Sequence, residues 1–200
     1  YKENDGPSQS FEATNRAEVM FFTNRQQVYK CRLSDFDDTK ASALGDYLPT
    51  KLSMDPEESV VSMVLPGDYS GWIFFFFANG KAARVELKSY ATTSNRRKLT
   101  GAYSDKSPLV ALVHLTEETE LVLTSTERRS LVVNTALLSP KTTRSTQGVQ
   151  VMTLKPKYQL SEVCSLEQSG ITNLSRYRCR SLPGAGALLK EEDGGQMRLL

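Results

Sequence analysis

The chain repeats one pattern of hydrophobic and polar positions three times. An apolar run, a short polar turn and a stretch of alternating apolar and polar residues follow one another in residues 19–36, 73–90 and 121–138. The three segments align without gaps. Alternation on both sides of a short turn is typical of a β-hairpin. The pattern therefore predicts the same hairpin three times, with Phe74–Phe77 as an inner strand buried on both faces.

A second shared feature follows each hairpin, where a basic residue precedes a glycine and a further β-like stretch comes after it. The pairs are Lys40 with Gly45, Arg97 with Gly101, and Arg144 with Gly148. Repeats of about 40–50 residues with four strands each are typical of propeller blades, because one blade cannot bury both of its faces alone. We therefore predict an all-β, propeller-like fold with blades packed side by side. A β-sandwich whose repeats match by chance is the alternative.

The repeats also predict how the chain is divided. The blades are expected at residues 19–72, 73–120 and 121–170. Residues 1–18 are interpreted as the remnant of a preceding blade, since Lys2 precedes Gly6 in the same way, and the start without Met favours a fragment of a longer protein. Residues 171–200 have no fourth hairpin and contain Pro and Gly, which predicts a partly flexible C-terminal tail.

Charge is distributed unevenly along the chain. The net charge is only +2, but residues 81–157 contain 13 Lys and Arg against 6 Asp and Glu, which favours a polyanionic partner. Acidic clusters at 35–38, 55–58 and 117–120 are expected to form solvated loops, and their spacing does not fit a metal site. With one histidine and three scattered cysteines, the composition argues against His-based catalysis and a disulfide framework, and favours a reducing cytosol.

Three segments carry a resemblance to a known family. Residues 21–30, 79–87 and 143–152 read FFTNRQQVYK, NGKAARVEL and TRSTQGVQVM. In these words and in the order of its elements, the chain over residues 11–166 resembles the C-terminal domain of the A subunit of bacterial type IIA topoisomerases, DNA gyrase and topoisomerase IV. The resemblance implies a β-pinwheel of four-stranded blades, present here as a partial fragment of about three blades plus remnants. The basic box of gyrase is absent, and its nearest match, Lys40–Gly45, has lower basic density, which favours a topoisomerase IV-like protein.

The resemblance also implies a partner and a cellular context. In this family the outer rim of the domain binds and bends duplex DNA. The intact enzyme combines A and B subunits, passes one duplex through another with ATP and magnesium, and works in the bacterial cytoplasm at the nucleoid. The catalytic tyrosine of the family lies in an N-terminal region that this sequence does not match. We therefore expect a non-catalytic accessory domain with no cofactor or metal of its own and no association with a membrane.

The candidate DNA-binding residues are basic side chains that recur in each repeat. Those between hairpin and glycine, or just past the glycine, are Arg96, Arg97, Lys98, Lys141, Arg144, Lys155 and Lys157. Those at the hairpin turns are Arg25, Lys81, Arg128 and Arg129. Such side chains neutralise phosphates and release counterions. The alternative for these residues is that they solubilise strand edges, and the alternative for the whole chain is a propeller-like module that binds proteins.

Overall fold

The structure, a computed structural model, describes residues 17–36, 53–92 and 97–194. Antiparallel β-structure dominates these ranges, in three four-stranded sheets. The strands are β1 (Glu18–Thr23), β2 (Gln27–Arg32), β3 (Val60–Val64), β4 (Trp72–Phe77), β5 (Lys81–Glu86), β6 (Lys98–Thr100), β7 (Leu109–Leu115), β8 (Glu120–Ser125), β9 (Arg129–Asn134), β10 (Val149–Gln150), β11 (Leu160–Ser165) and β12 (Ala187–Leu188). The prediction of an all-β fold is confirmed.

Helices are short throughout the described ranges. Single turns of α-helix are α1 (Leu166–Ser169) and α2 (Leu174–Tyr177). Turns of 3-10 helix lie at Leu33–Phe36, Leu87–Tyr90, Thr135–Leu137 and Glu191–Asp193. None of these helices is long and apolar enough to cross a membrane.

The three predicted hairpins form with the same register. Phe21 pairs with Tyr29 in β1–β2, Phe75 with Ala83 in β4–β5, and Leu123 with Leu131 in β8–β9, which are equivalent positions of the repeat. The third residue of each turn has a positive φ: 54° at Gln26, 83° at Gly80 and 67° at Arg128. A left-handed residue at this point lets a three-residue turn follow the twist of the strands.

Each sheet is completed by two more strands. Sheet I has the order β3-β1-β2-β6, sheet II β10-β5-β4-β7 and sheet III β11-β8-β9-β12. We call β6, β10 and β12 the closing strands, because each lies beside the second hairpin strand and comes from the segment after the next hairpin or, in sheet III, from the C-terminal segment. The sheets therefore draw strands from across the blade boundaries expected from the sequence.

The chain forms two compact units. One contains residues up to Ser70 together with Tyr90–Tyr103, and the other contains Gly71–Ser89 and the residues from Ser104 onward. Sheet I lies in the first unit, where Val19, Phe21 and Tyr29 are buried together. Sheets II and III lie in the second unit.

The core of the second unit lies between sheets II and III. Phe74 and Phe76 of β4 pack there with Leu121, Leu123 and Leu131 of sheet III. All of Phe74–Phe77 is buried, as the apolar run predicts.

The opposite face of sheet III is covered by the C-terminal segment. Val122 and Val132 form a cluster there with Ile171 and Tyr177, which are 7% and 1% exposed. The Tyr177 hydroxyl donates a hydrogen bond to Asp193 Oδ2 at 2.5 Å. Ile171 and Tyr177 thus pack against the sheet, whereas more than half of residues 171–194 are exposed. The partly flexible tail expected from the sequence stays a prediction.

Candidate nucleic-acid interface

The closing strands bring several of the candidate basic residues to sheet edges. We define the closing edges as residues 97–100 of sheet I, 141–150 of sheet II and 176–188 of sheet III. Arg97 and Lys98 lie on the first, and Lys141 and Arg144 on the second. Arg96 lies outside the described residues. An edge strand has backbone groups and side chains directed to solvent, so it is a natural place for contacts with a partner.

At the closing edge of sheet I, both basic side chains are exposed. The backbone carbonyl of Arg97 accepts a hydrogen bond from the Lys30 amide at 2.7 Å, which fixes the backbone and leaves the guanidinium outside. Lys98 Nζ lies 5.6 Å from the centre of the Tyr29 ring. The Tyr29 hydroxyl in turn donates to Glu58 Oε1 at 2.6 Å. Lys98 is therefore anchored along an aromatic surface with its charge near a buried carboxylate.

Glu58 is a buried carboxylate with an unusually complete set of donors. Its side chain also accepts a hydrogen bond from Thr23 Oγ1 at 2.6 Å and from the Asp55 amide at 3.3 Å. Burial by itself raises the pKa of Glu58, but these hydrogen bonds and the charge of Lys98 outweigh burial and hold the pKa below its ordinary value. The same burial and the neighbouring Glu58 charge raise the pKa of Tyr29. Glu58 stays ionised and fixes this end of sheet I.

At the closing edge of sheet II, the backbone of Lys141 forms a parallel bridge with Val85, and its side chain is exposed. Arg144 is half-buried and donates from one terminal nitrogen to the carbonyl of Ser89 at 2.9 Å. Its Nε is buried without a hydrogen-bond partner in the described part of the chain. Lys141 therefore presents a free charge, whereas Arg144 also holds the edge in place.

A glycine is required where this edge turns into its closing strand. Gly148 has a φ of +75°, and a Cβ there would lie 2.0 Å from the carbonyl oxygen of Ala82. Val149 then pairs with Ala82 and Gln150 with Lys81. The glycine of the basic-residue-and-glycine pattern thus lets the edge approach β5 closely.

The remaining candidates lie at the hairpin turns of the second unit. Glu127 accepts hydrogen bonds from Arg129 Nε and Lys155 Nζ, both at 3.0 Å. The bond from Lys155, together with that from Arg129, lowers the pKa of Glu127, which stays ionised. Two of the predicted cations therefore share one carboxylate, which offsets the charge of one of them. Arg128 and Lys157 are exposed, both with positive φ, and Lys81 is half-buried.

The candidates thus divide into two locations within the second unit. Lys81 begins β5, and Lys141 lies beside Val85 towards the far end of that strand, about 13 Å along it at the usual rise per residue. The sequence groups Lys155 and Lys157, just past Gly148, with the residues that precede the glycine, but the structure places Lys155 by the turn of sheet III through Glu127. The reason is that residues 151–159 connect the closing strand β10 of sheet II to β11 of sheet III.

Sequence reasoning missed three arginines on the closing edge of sheet III, at positions 176, 178 and 180. Gly186 has a φ of +70° and a Cβ there would lie 2.7 Å from the Ser130 carbonyl oxygen, as at Gly148. Ala187 pairs with Ser130 and Leu188 with Arg129, the same register as in sheet II. The only sequence signal is Gly186 followed by Ala187 and Leu188, which take the positions of Gly148, Val149 and Gln150. Because no hairpin precedes this signal, it is too short to recognise.

Asp55, Glu57 and Glu117 are exposed, as expected of solvated loops, and Asp37 and Asp38 lie outside the described residues, but other carboxylates of the acidic clusters have partners within the fold. Glu58 is buried as described, Glu118 forms a salt bridge with the buried Arg84, and Glu120 pairs with Arg178 at 2.9 Å. Each carboxylate satisfies a cation or hydroxyl of the fold rather than only facing water. Within the described ranges, no group of His, Cys, Asp and Glu side chains is arranged to hold a metal ion.

Comparisons with known proteins define the class to which this fold corresponds. The C-terminal domain of DNA topoisomerase IV superposes with a TM-score of 0.68 at 20% identity, covering 90% of this chain and 62% of that one. The C-terminal domain of E. coli ParC gives a TM-score of 0.66 at 12% identity, covering 96% and 88%. These are β-pinwheel C-terminal domains. The predicted fold is confirmed.

Sequence relatives point to the same proteins. The A subunit of DNA gyrase from Mycolicibacterium smegmatis is 23% identical over 155 residues, which cover 76% of this chain and 18% of the relative. Its counterpart from Streptomyces coelicolor is 24% identical over 165 residues, covering 77% and 19%. The chain matches none of the protein-family profiles it was compared with. It resembles the C-terminal domains of gyrase and topoisomerase IV A subunits, and it spans about a fifth of the length of the gyrase proteins that it matches.

Proposed function

We propose that this chain is a DNA-binding and DNA-bending accessory domain of a type IIA topoisomerase A subunit. The observation that carries the proposal is that exposed cations lie on the closing edges of two equivalent sheets, Arg97 and Lys98 on sheet I and Lys141 on sheet II. The resemblance to gyrase and topoisomerase IV supports the same function. The proposed whole enzyme also comprises the B subunit and the remaining parts of the A subunit, and strand passage with ATP and magnesium belongs to that assembly.

Binding at these edges needs no reactive side chain. Phosphates repeat along a duplex, and each one neutralised by Lys or Arg releases counterions, so affinity is strong at low salt and nearly blind to sequence. Bending a site of 20–30 base pairs costs on the order of 1–6 kcal/mol, which contacts at several edges must outweigh. Duplexes of several helical turns should therefore bind better than very short ones.

The test measures duplex affinity as a function of salt. The variant Arg97→Ala/Lys98→Ala/Lys141→Ala removes three exposed edge cations. If each contacts one phosphate, the slope of log affinity against log salt should fall in magnitude by about 2.7, at about 0.9 per contact. Arg144 is left in place because it also bonds the Ser89 carbonyl.

A matched control removes the same charge elsewhere. Arg32→Ala/Lys106→Ala/Lys190→Ala changes three exposed cations that are not candidate DNA-binding residues and lie outside the closing edges. An unchanged slope in the edge variant, with the fold intact by circular dichroism, contradicts the assignment of these edges. An equal loss in both variants shows that DNA binding depends on overall charge.

A second candidate is a protein-binding module. The closing strands also expose apolar side chains, with Val149 47% and Leu188 49% exposed. Replacing both by Ser should leave duplex binding and its salt slope unchanged if the edges bind phosphates. A large loss of DNA binding on this change would favour apolar recognition instead.

A further inference from the structure

We propose that the closing edge of sheet III contains a phosphate-binding pocket built from Arg176 and Arg180, which seats a backbone phosphate of duplex DNA. This inference rests on the proposed function and adds a third edge to it. It concerns a segment that the sequence analysis assigned to a tail. The pocket has a volume of about 240 Å³, and its wall includes Arg176, Arg178, Arg180, Ser181, Gly184 and Gly186.

The closing edges of sheets II and III are built in the same way. Gly186 and Gly148 both have a positive φ and both approach a carbonyl of the second hairpin strand, at equivalent positions of the repeat. Upstream of each glycine a basic residue forms a parallel bridge, Arg178 with Val132 and Lys141 with Val85. The Lys141 amide donates to the Arg84 carbonyl and the Cys179 amide donates to the Val132 carbonyl at the equivalent position, so Arg178 and Arg180 flank the edge position that Lys141 occupies in sheet II.

The backbone that forms the wall of the pocket is held to sheet III. The Arg178 amide donates to the Leu174 carbonyl at 2.9 Å, and the Cys179 amide donates to the Val132 carbonyl at 2.8 Å. Tyr177, between two of the arginines, is 1% exposed. Because the backbone is held to sheet III, little conformational entropy is lost when a ligand binds.

Two of the three arginines in the pocket wall keep a positive charge that no carboxylate of the described residues pairs with. Arg178 donates to both carboxylate oxygens of Glu120 at 2.9 Å, so this guanidinium is compensated. Arg176 is exposed and donates one bond, at 3.3 Å, to the Leu188 carbonyl, which leaves most of its five donors available. Arg180 is exposed and forms no salt bridge within the described part of the chain. Arg176 and Arg180 thus line a polar concavity, and neither forms a salt bridge within the described ranges.

The shape of the guanidinium group decides the ligand chemistry. Its planar fork binds two oxygens of one phosphate at once, so two such groups around a pocket favour a tetrahedral oxyanion over water. A phosphodiester of DNA and free inorganic phosphate share this chemistry. The duplex is the favoured source, because the equivalent edge of sheet II carries the exposed Lys141.

The test uses the variant Arg176→Ala/Arg180→Ala and leaves Arg178 with Glu120. If each residue contacts a phosphate, the magnitude of the salt slope for a duplex of several turns should fall by about 1.8, at about 0.9 per contact. Arg176→Lys/Arg180→Lys keeps the charge but loses the fork and should lose part of the affinity. The matched control Arg32→Ala/Lys106→Ala removes two exposed cations that are not candidate DNA-binding residues and should leave the slope unchanged.

A direct readout comes from Cys179, which lies in the pocket wall and whose thiol pKa is raised by burial. Peptide mapping of alkylation in the unaltered chain should show slower modification of Cys179 when duplex is bound, with Cys31 and Cys164 as internal references. Inorganic phosphate at the same ionic strength should protect it weakly. Protection by inorganic phosphate but not by duplex would overturn the assignment to DNA.

The outcomes separate this inference from the proposed function. If the sheet I and II variant lowers the salt slope but Arg176→Ala/Arg180→Ala does not, and Cys179 is not protected, the pocket is not a DNA site and the proposed function stands. If the unaltered chain binds no duplex at any salt concentration, the proposed function fails, and the pocket assignment fails with it.

Discussion

Arg84 is the most consequential charged residue for the stability of the second unit. It is 4% exposed, and its guanidinium lies 4.0 Å from the centre of the Trp72 ring and 5.2 Å from that of Phe74. One terminal nitrogen donates to the carbonyls of Thr135 and Leu138 at 2.9 and 3.0 Å, and both terminal nitrogens bond the Glu118 carboxylate. The side chain therefore joins β5 of sheet II to the 3-10 turn that follows β9 of sheet III.

The change Arg84→Ala should lower the free energy of unfolding by about 3 kcal/mol. Removing one partner of a buried ion pair costs about 3–5 kcal/mol. The lower end applies because the Glu118 side chain is 42% exposed, so its charge regains water when Arg84 is lost. The carbonyls of Thr135 and Leu138 remain buried without their donor, and the stacking on Trp72 is lost. Arg84→Lys keeps the charge without the fork and should lose less.

The assay is urea unfolding followed by fluorescence of Trp72, which is the only tryptophan of the chain and lies in the second unit. Lys141→Ala serves as the control, because an exposed cation usually changes stability by less than about 0.5 kcal/mol. A value for Arg84→Ala within this same margin at neutral pH would refute the reasoning.

Acid provides an independent check of the ion pair. The hydrogen bond from Arg84, with help from Thr135, holds the pKa of Glu118 below its ordinary value. A carboxylate with a depressed folded pKa contributes stability above its unfolded pKa and loses it as pH falls through the folded pKa. The difference between the unaltered chain and Arg84→Ala should therefore shrink as the pH falls through that window. A difference independent of pH would mean that stacking and the carbonyl bonds carry the whole effect.

Three further outcomes are expected. Gly148→Ala should lower the free energy of unfolding of the second unit by more than about 2 kcal/mol, because the new Cβ would meet the Ala82 carbonyl. Gly67→Ala should cost about 1 kcal/mol, because Gly67 has a positive φ but open space around it. Equal losses of stability in urea unfolding would contradict this. Glu58→Gln should reduce the loss of stability in acid, since the depressed pKa of Glu58 makes it contribute stability only above its unfolded pKa; an unchanged pH profile would argue against that role. The isolated chain should not relax or cleave supercoiled plasmid with ATP and magnesium, and relaxation by nuclease-free material would show a reactive group that we have not recognised.

The hairpins could be predicted from the sequence because each one depends on residues that are close together along the chain. The alternation around each turn predicted β1–β2, β4–β5 and β8–β9, and the structure has all three in equivalent registers. Pairing across a short turn loses little chain entropy, so the hydrophobic pattern suffices to specify it. The apolar run at Phe74–Phe77 likewise predicted a buried strand. The resemblance carried by these hairpins led to the correct fold.

The candidate site could be predicted from the sequence only in part. Lys98 and Lys141 lie on closing edges, but Lys155 and Arg129 are engaged by Glu127, and DNA binding by any of them stays a prediction. The excess of basic residues also includes Arg84, which is buried and unavailable to any partner. Charge counted along a chain does not distinguish an exposed cation from one that bonds carbonyls of the core.

What the sequence by itself determined is the set of hairpins and their repetition. What only the tertiary structure decided is which distant segment closes each sheet, that Ile171 and Tyr177 cover sheet III, and that the arginines around the Gly186 edge face solvent. The physical reason is that β12 is two residues long and carries almost no pattern of its own. Its position is selected by the free backbone edge of β9 and the uncovered apolar face of the sheet, and both exist only after the rest of the second unit has assembled.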